Sequence, residues 1–259
     1  MIGAIIGDVV GSRFEFNNYR GTDFEFFHPD CMFTDDTICS VAVADWLLHP
    51  NSNLPETMRN WCRKYPSSYG GMFGRWVHDK SMGPYNSFGN GSAMRVSPVG
   101  WLAGSHDDAL KLAKESANIT HNHPEGVRGA QCIALSIYML SQGATLDELR
   151  KSIKFKFRYN IDFTCDEIRP VNWFDETCQV TVPQAIVCFL ESSDFESAIR
   201  LAVSIGGDSD TIAAITGSLA EAYYGIPAWM EEKALAFMPN DVKKIISKFK
   251  KHKNEIQVL

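Results

Sequence analysis

Two short acidic segments carry the side chains best suited to chemistry: FTDDT at 33–37 and GGDSDT at 206–211. Each runs directly into small apolar residues, DDTICSVAVADWL in the first and SDTIAAITGSLAEA in the second. One Asp or Thr at such a junction is explained by helix capping, since its oxygen accepts from a free backbone N–H at the positive end of the helix dipole. Two helix starts need only two caps. Here Asp35, Asp36, Asp208 and Asp210 stand beside the hydroxyls of Thr34 and Thr211, more acceptor capacity than capping uses. If the segments converge, the carboxylates repel one another unless cations sit between them. An all-oxygen set without His or Cys suits a hard cation such as Mg²⁺ or Mn²⁺ and disfavours zinc and copper. Two adjacent ions would orient hydroxyls or activate a water.

The elements that must position these groups read as helices. Val182, Ala185, Ile186, Phe189 and Leu190 form one apolar stripe, and Phe195, Ala198, Ile199, Ala202 and Val203 form the next, both at helical spacing. Pro183 reads as lying just inside the first of these, and Thr145 with Glu148 as a capping box before Leu146, Leu149 and Ile153. Further helices are expected around 35–48, 56–64, 107–118, 126–141, 211–223, 228–237 and 241–250. Only Phe155, Phe157, Tyr159, Ile161 and Phe163 alternate with polar residues as a strand would, and they have no partner segment, so an extended connection or small hairpin is expected there. The clusters at 66–74 and 83–98 read as long functional loops. The fold class is all-α, in one domain over 1–259, since no Pro-rich or charged linker divides the chain.

Composition narrows the function. The 259 residues include 25 Lys and Arg against 31 Asp and Glu, for a net charge of −6, which argues against a nucleic-acid surface. With 45% hydrophobic and 22% charged residues the chain is globular rather than disordered. Its seven cysteines are irregularly spaced and never form a CxxC pair, so they read as free thiols in a reducing, cytoplasmic setting. Asp8 interrupts the apolar start MIGAIIGDVVG, which lacks a basic leader, and no signal peptide is expected. No run approaches the ~18 apolar residues a membrane span needs.

Read in order, GAIIGDVVGSRFEF at 3–16, FTDDT, SFGNGSAMRVSPVG at 87–100, ITHNHPEGVRGA at 119–130 and GGDSDTIAAITGSLAEAYYG at 206–225 resemble the motifs of the ADP-ribosylglycohydrolase family along nearly the whole chain. The resemblance implies a compact orthogonal helical bundle around a binuclear Mg²⁺ or Mn²⁺ site. It implies a metal-dependent hydrolase that releases ADP-ribose from a modified protein side chain such as arginine or serine, or from a small molecule. By it, Thr34, Asp35, Asp36, Asp208, Asp210 and Thr211 hold the two metal ions. Glu15 matches the family glutamate that handles protons or orients the ribose; Phe14 and Phe16 beside it favour partial burial and a raised pKa. Asp36 is a second catalytic candidate, as activator of a bridging water. Ser87, Phe88, Gly89, Asn90 and Gly91 match the ADP-ribose cleft, with Phe88 stacking on a ring where relatives often carry Tyr, and His121 matches a histidine near the diphosphate or ribose. Asp8 and His123 read as structural, while Arg95 and Arg128 stay open between binding and bracing.

Two rival functions share this pattern: a non-catalytic ADP-ribose reader or crystallin-like structural protein, and a metal-dependent nucleotide phosphoesterase. The segments YPSSYGGMFGRW at 65–76 and RPVNWFDETCQVTVPQA at 169–185 are either rim or core, and the acceptor group, a modified nucleic-acid base included, stays open.

Overall fold

The computed structural model describes residues 1–67 and 69–257. In chain order its helices are α1 (Ile2–Gly11), α2 (Asp35–Leu48), α3 (Leu54–Lys64), α4 (Gly71–His78), α5 (Gly91–Met94), α6 (Ser97–Leu102), α7 (His106–Asn118) and α8 (Pro124–Ser141). There follow α9 (Leu146–Lys151), α10 (Cys165–Ile168), α11 (Cys178–Glu191), α12 (Phe195–Ser204), α13 (Ser209–Tyr224), α14 (Ala228–Ala236) and α15 (Asn240–Gln257). The described residues contain no strand, only an isolated antiparallel bridge between Gly89 and Thr177, so the fold is all-α as expected. No described helix is long and apolar enough to cross a membrane.

Helix α13 lies at the centre. Its residues from Ser209 to Ala220 are all buried, and it packs against α1, α8, α11 and α12. The contact with α1 is backbone to backbone: a Cβ on Gly7 would fall 2.0 Å from the Ala213 carbonyl oxygen, and one on Gly11 2.5 Å from the Asp210 Cα. Gly3, Gly7 and Gly11 recur every fourth residue and so share one face, which only glycine leaves flat enough for this approach. The closeness carries Asp8, on the same helix, to the first turn of α13.

Helix α1 is missing from the helices expected above. Its three glycines lower helix propensity, and all ten of its residues are buried, so no polar face reveals the period. Three other expectations are corrected. Residues 155–163 form a connection, as one of the two alternatives had it, but no hairpin, and they start later than expected: Ser152–Lys156 is a π-helical turn that leaves Phe155 exposed, and only beyond it do Phe157, Tyr159 and Ile161 alternate inward. The loops at 66–74 and 83–98 are interrupted by α4, α5 and α6, whose short lengths hide their period; Ser68 in the first loop lies outside the described residues. Pro183 sits well inside α11 rather than at its start, because the helix begins earlier, where the Cys178 N–H bonds the Phe88 carbonyl at 3.0 Å. The capping box of Thr145 and Glu148 forms with both halves present, and all seven cysteines are free and buried.

Candidate active site

The starts of α2 and α13 meet. Asp36 and Thr211 touch, the threonine hydroxyl donating to Asp36 Oδ2 at 3.1 Å. The loop into α13 is turned by Gly206 and Gly207, at φ +68° and +81°, backbone that side-chain-bearing residues rarely adopt. Asn18 ties this loop to the segment carrying Glu15: its Nδ2 donates to the Gly207 carbonyl at 2.9 Å and the Phe14 carbonyl at 2.8 Å, while its Oδ1 accepts from the Gly207 N–H at 2.8 Å. The ligand oxygens of Asp8, Asp36 and Asp210 lie within 4.8 Å of one another, and so do those of Glu15, Asp208 and Asp210, with Asp210 common to both groups. None of these five residues, nor Asp35, is in an ion pair among the described residues.

Electrostatics follow from that crowding. Burial, then the charges of Asp208 and Asp35, push Glu15 up to about 7. Burial and Asp8 push Asp35 up to about 7 as well. Asp36 and Asp210 are held well above the usual carboxylate range by burial and by the neighbouring carboxylates. Asp36 Oδ1 is buried with no hydrogen-bond partner. Asp8 differs from the others: it accepts from the N–H and hydroxyl of both Thr34 and Thr37, including 2.9 Å and 2.6 Å bonds from Thr34, which fills the roughly four acceptor positions of a carboxylate. Its role is to brace the first turn of α2. Thr34 caps that turn, its hydroxyl donating to Asp8 and accepting from the Asp36 N–H at 3.3 Å.

These carboxylates form one end of a cavity of about 260 Å³. The other end is lined by Ser87, Gly89, Asn90, Gly91, Tyr85, Arg95 and His121, with Gly70, Gly71, Met72 and Phe73 from the start of α4. Asn90 joins the ends, its Nδ2 donating to Asp208 Oδ2 at 2.6 Å and to Thr181 Oγ1 at 3.0 Å. Backbone bonds from the Asn90 N–H to the Glu176 carbonyl, 2.6 Å, and from Cys178 to Phe88 hold the glycine loop against the start of α11.

Of the residues selected from sequence, Glu15, Asp35, Asp36, Asp208, Asp210, Thr211, Ser87, Gly89, Asn90, Gly91 and His121 all line this cavity. Thr34 and Phe88 do not. Phe88 is 45% exposed and leans edge-on against His123, whose Nδ1 accepts from the Glu125 N–H at 3.1 Å and caps α8. Arg128 pairs with Glu125 and covers the Tyr159 ring, which makes it a brace. The segments at 65–76 and 169–185, left between rim and core from sequence, both reach the cavity, through Gly70–Phe73 and Glu176. Sequence reading did not single out Glu176 or Tyr85, and it set Asp8 apart from the acidic group although Asp8 had a visible signal as the lone carboxylate of an apolar segment.

A model of the ADP-ribosylglycohydrolase family matches residues 1–252. The chain is 26% identical to the ADP-ribosylhydrolase ARH3 of Danio rerio, over 87% of this chain and 82% of the relative. It is likewise 26% identical to the ADP-ribosyl-[dinitrogen reductase] glycohydrolase of Rhodospirillum rubrum, over 87% of this chain and 84% of the relative. A solved ADP-ribosylglycohydrolase-related protein complex has the same fold, with a TM-score of 0.70 at 23% identity over 97% of this chain and 95% of that one. With its acidic helix starts facing a glycine-lined wall across one cavity, the chain belongs to the ADP-ribosylglycohydrolase family of hydrolases.

Proposed function

We propose that the protein is a single-domain, divalent-cation-dependent hydrolase that cleaves the bond between the ribose of ADP-ribose and an acceptor group, releasing ADP-ribose. The observation that carries this reading is the convergence of Glu15, Asp35, Asp36, Asp208 and Asp210 without a cationic partner among the described residues, at one end of a cavity whose other end offers donors. The residues fit hard cations: every donor is oxygen, Asp36 Oδ1 is buried and unpartnered, and Asp210 belongs to both groups, as one carboxylate shared between two neighbouring ions would. Two Mg²⁺ or Mn²⁺ ions held there by Asp35, Asp36, Asp208, Asp210 and Thr211 would supply Lewis acidity toward the ribose hydroxyls and a water.

The chain's own groups do the rest. Asp8 and Thr34 fix the orientation of Asp35 and Asp36 by bracing their helix start. Glu15, on the cavity wall beside Asp208 and Asp210, orients the ribose and moves the proton the departing acceptor needs. The fixed negative charge around the ribose stabilises the oxocarbenium character of the transition state. The wall from Ser87 to Gly91, with His121, holds the diphosphate side of the ligand, where backbone N–H groups approach closely because Gly89 and Gly91 carry no side chain. The acceptor then leaves toward Glu176, which lines the cavity with no hydrogen bond or ion pair from its carboxylate among the described residues. A free carboxylate suits a planar cationic acceptor such as a guanidinium better than a neutral hydroxyl. The seven free thiols favour a cytoplasmic location.

Incubation with arginine-linked and serine-linked ADP-ribosyl peptides, with and without chelator, tests the reading by mass spectrometry of the products. Intact ADP-ribose is expected, abolished by chelator and released faster from the arginine peptide. AMP or inorganic phosphate instead would make the protein a phosphoesterase. ADP-ribose that binds without turnover of either peptide would make it a reader.

A further inference from the structure

We propose that Arg95, acting through Thr120, fixes His121 as a neutral imidazole with its proton on Nε2, and that this N–H donates to a phosphate or sugar oxygen in the cavity. The identity of the ligand rests on the reading above; the tautomer does not.

The argument is an accounting of protons. Arg95 is 1% exposed and in no ion pair among the described residues. Its Nη2 donates to the Ser116 carbonyl at 2.6 Å and to Thr120 Oγ1 at 3.0 Å. A guanidinium has only donors, so the threonine oxygen must accept. The hydroxyl keeps one proton to place. Thr120 is fully buried, and among the described residues the other polar atom its hydroxyl meets is His121 Nδ1, at 2.7 Å. If Nδ1 carried the ring proton, it would point at the hydroxyl oxygen and the hydroxyl's own proton would be stranded in a buried place. If Nδ1 is bare, the series Arg95 Nη2–H to Thr120 O–H to His121 Nδ1 satisfies both the threonine hydroxyl and the imidazole nitrogen, leaving Arg95 Nε without a partner among the described residues. The positive charge of Arg95 polarises the hydroxyl in the same direction.

The imidazolium is disfavoured twice, because it strands the same hydroxyl proton and puts a second buried positive charge beside Arg95. Burial and then Arg95 hold His121 well below the ordinary histidine range. Tyr85 faces the imidazole across 6.1 Å between ring centroids, and no carboxylate hydrogen-bonds it among the described residues. The remaining nitrogen, Nε2, therefore carries the proton. It makes no protein hydrogen bond among the described residues, and it lies on the cavity wall between two glycines: a Cβ would fall 3.2 Å from it at Gly91 and 3.4 Å at Gly89. A donor on a side chain that is 5% exposed and lines the cavity is placed for a ligand acceptor. Arg95 is thus a positioning residue, and its effect passes through one hydroxyl.

Long-range ¹H–¹⁵N correlation of histidine-labelled protein without ligand reads the tautomer directly. The expected spectrum has a pyridine-type Nδ1 and a pyrrole-type Nε2 for His121, unchanged across neutral pH. Thr120→Val keeps the shape and removes the hydroxyl; it is expected to mix the two tautomers and raise KM about tenfold, the loss of one hydrogen bond, with kcat within about twofold. Thr120→Ser is expected to restore both readings, whereas Arg95 replacements risk the fold. A pyrrole-type Nδ1 in the native protein overturns the proposal, as does a Thr120→Val spectrum identical to the native one. Titration with ADP-ribose separates the ligand from the tautomer: a shift at Nε2 supports donation, and binding without such a shift overturns it. Failure of ADP-ribose to bind at all, with the expected free spectrum, overturns the reading of the cleft and the donation while the tautomer stands.

Discussion

The two ends of the cleft hold their polar groups by opposite means. At the carboxylate end, side chains face one another and little satisfies them: Asp36 Oδ1 has no partner, and Asp36 and Asp210 are both held well above the usual carboxylate range. At the glycine end, His121 is satisfied from behind by Thr120, which leaves its other nitrogen facing the cavity, while Asn90 donates both Nδ2 protons to Thr181 and Asp208 and so ties the two ends together. The first end is unfavourable by itself, and the second is arranged before any ligand is present. A site can therefore be recognised by what it leaves unsatisfied as well as by what it presents.

The largest effect is expected where the carboxylate end is most shared. Asp210→Asn removes a charge from both acidic groups and is expected to abolish saturable cation binding and lower kcat by at least about a hundredfold, while circular dichroism stays native. Retained activity at saturating cation would place the ions elsewhere. Glu15→Gln keeps the shape and removes the proton-bearing group; turnover is expected to fall by roughly a hundredfold to ten-thousandfold with cation affinity nearly intact. Loss of cation binding in that variant would move Glu15 from proton handling to ligation. At the glycine end, Gly91→Ala places a Cβ 3.2 Å from His121 Nε2. It is expected to raise KM about tenfold while leaving cation affinity unchanged, and a change in cation affinity would show that the two ends are not separable.

The smallest effect is on stability. Glu15 and Asp35 are both pushed to about 7, above their ordinary values, so the folded chain keeps protons that the unfolded chain has already lost. The unfolded state then binds fewer protons across the window from about 4 to about 7, and stability falls as pH rises through it. In chelator, the melting temperature is expected to be lower near pH 8 than near pH 5, and Mn²⁺ at about a hundred times its Kd is expected to raise it by roughly 5 °C, more at the higher pH. A chelated protein whose stability rises over that window would contradict the crowding of these carboxylates.

Much of the acidic end is legible in the sequence because its chemistry and its local structure coincide: Asp35, Asp36, Asp208 and Asp210 sit at helix starts, where residue type alone marks them. The helices that bury one face are legible for the same reason, as α12 shows with its apolar stripe at helical spacing. Helix α1 is not, because it is buried all round and built on glycines whose value lies in a partner backbone far along the chain. Glu176 and Tyr85 reach the cavity through loops set by long-range bonds, the Asn90 N–H to the Glu176 carbonyl and the Tyr85 N–H to the Thr120 carbonyl, which leave no periodic trace. Thr34 and Phe88 show the reverse error: each lies in a motif whose neighbours reach the cavity, and motif membership does not fix where a side chain points.

The most direct test of the central claim is isothermal titration of Mn²⁺ and Mg²⁺ into chelator-stripped protein, alongside Asp210→Asn. Saturable binding of two ions, lost in the variant, is the expected result. An isotherm without saturable binding, from protein that still hydrolyses ADP-ribosyl peptides in chelator, would contradict it.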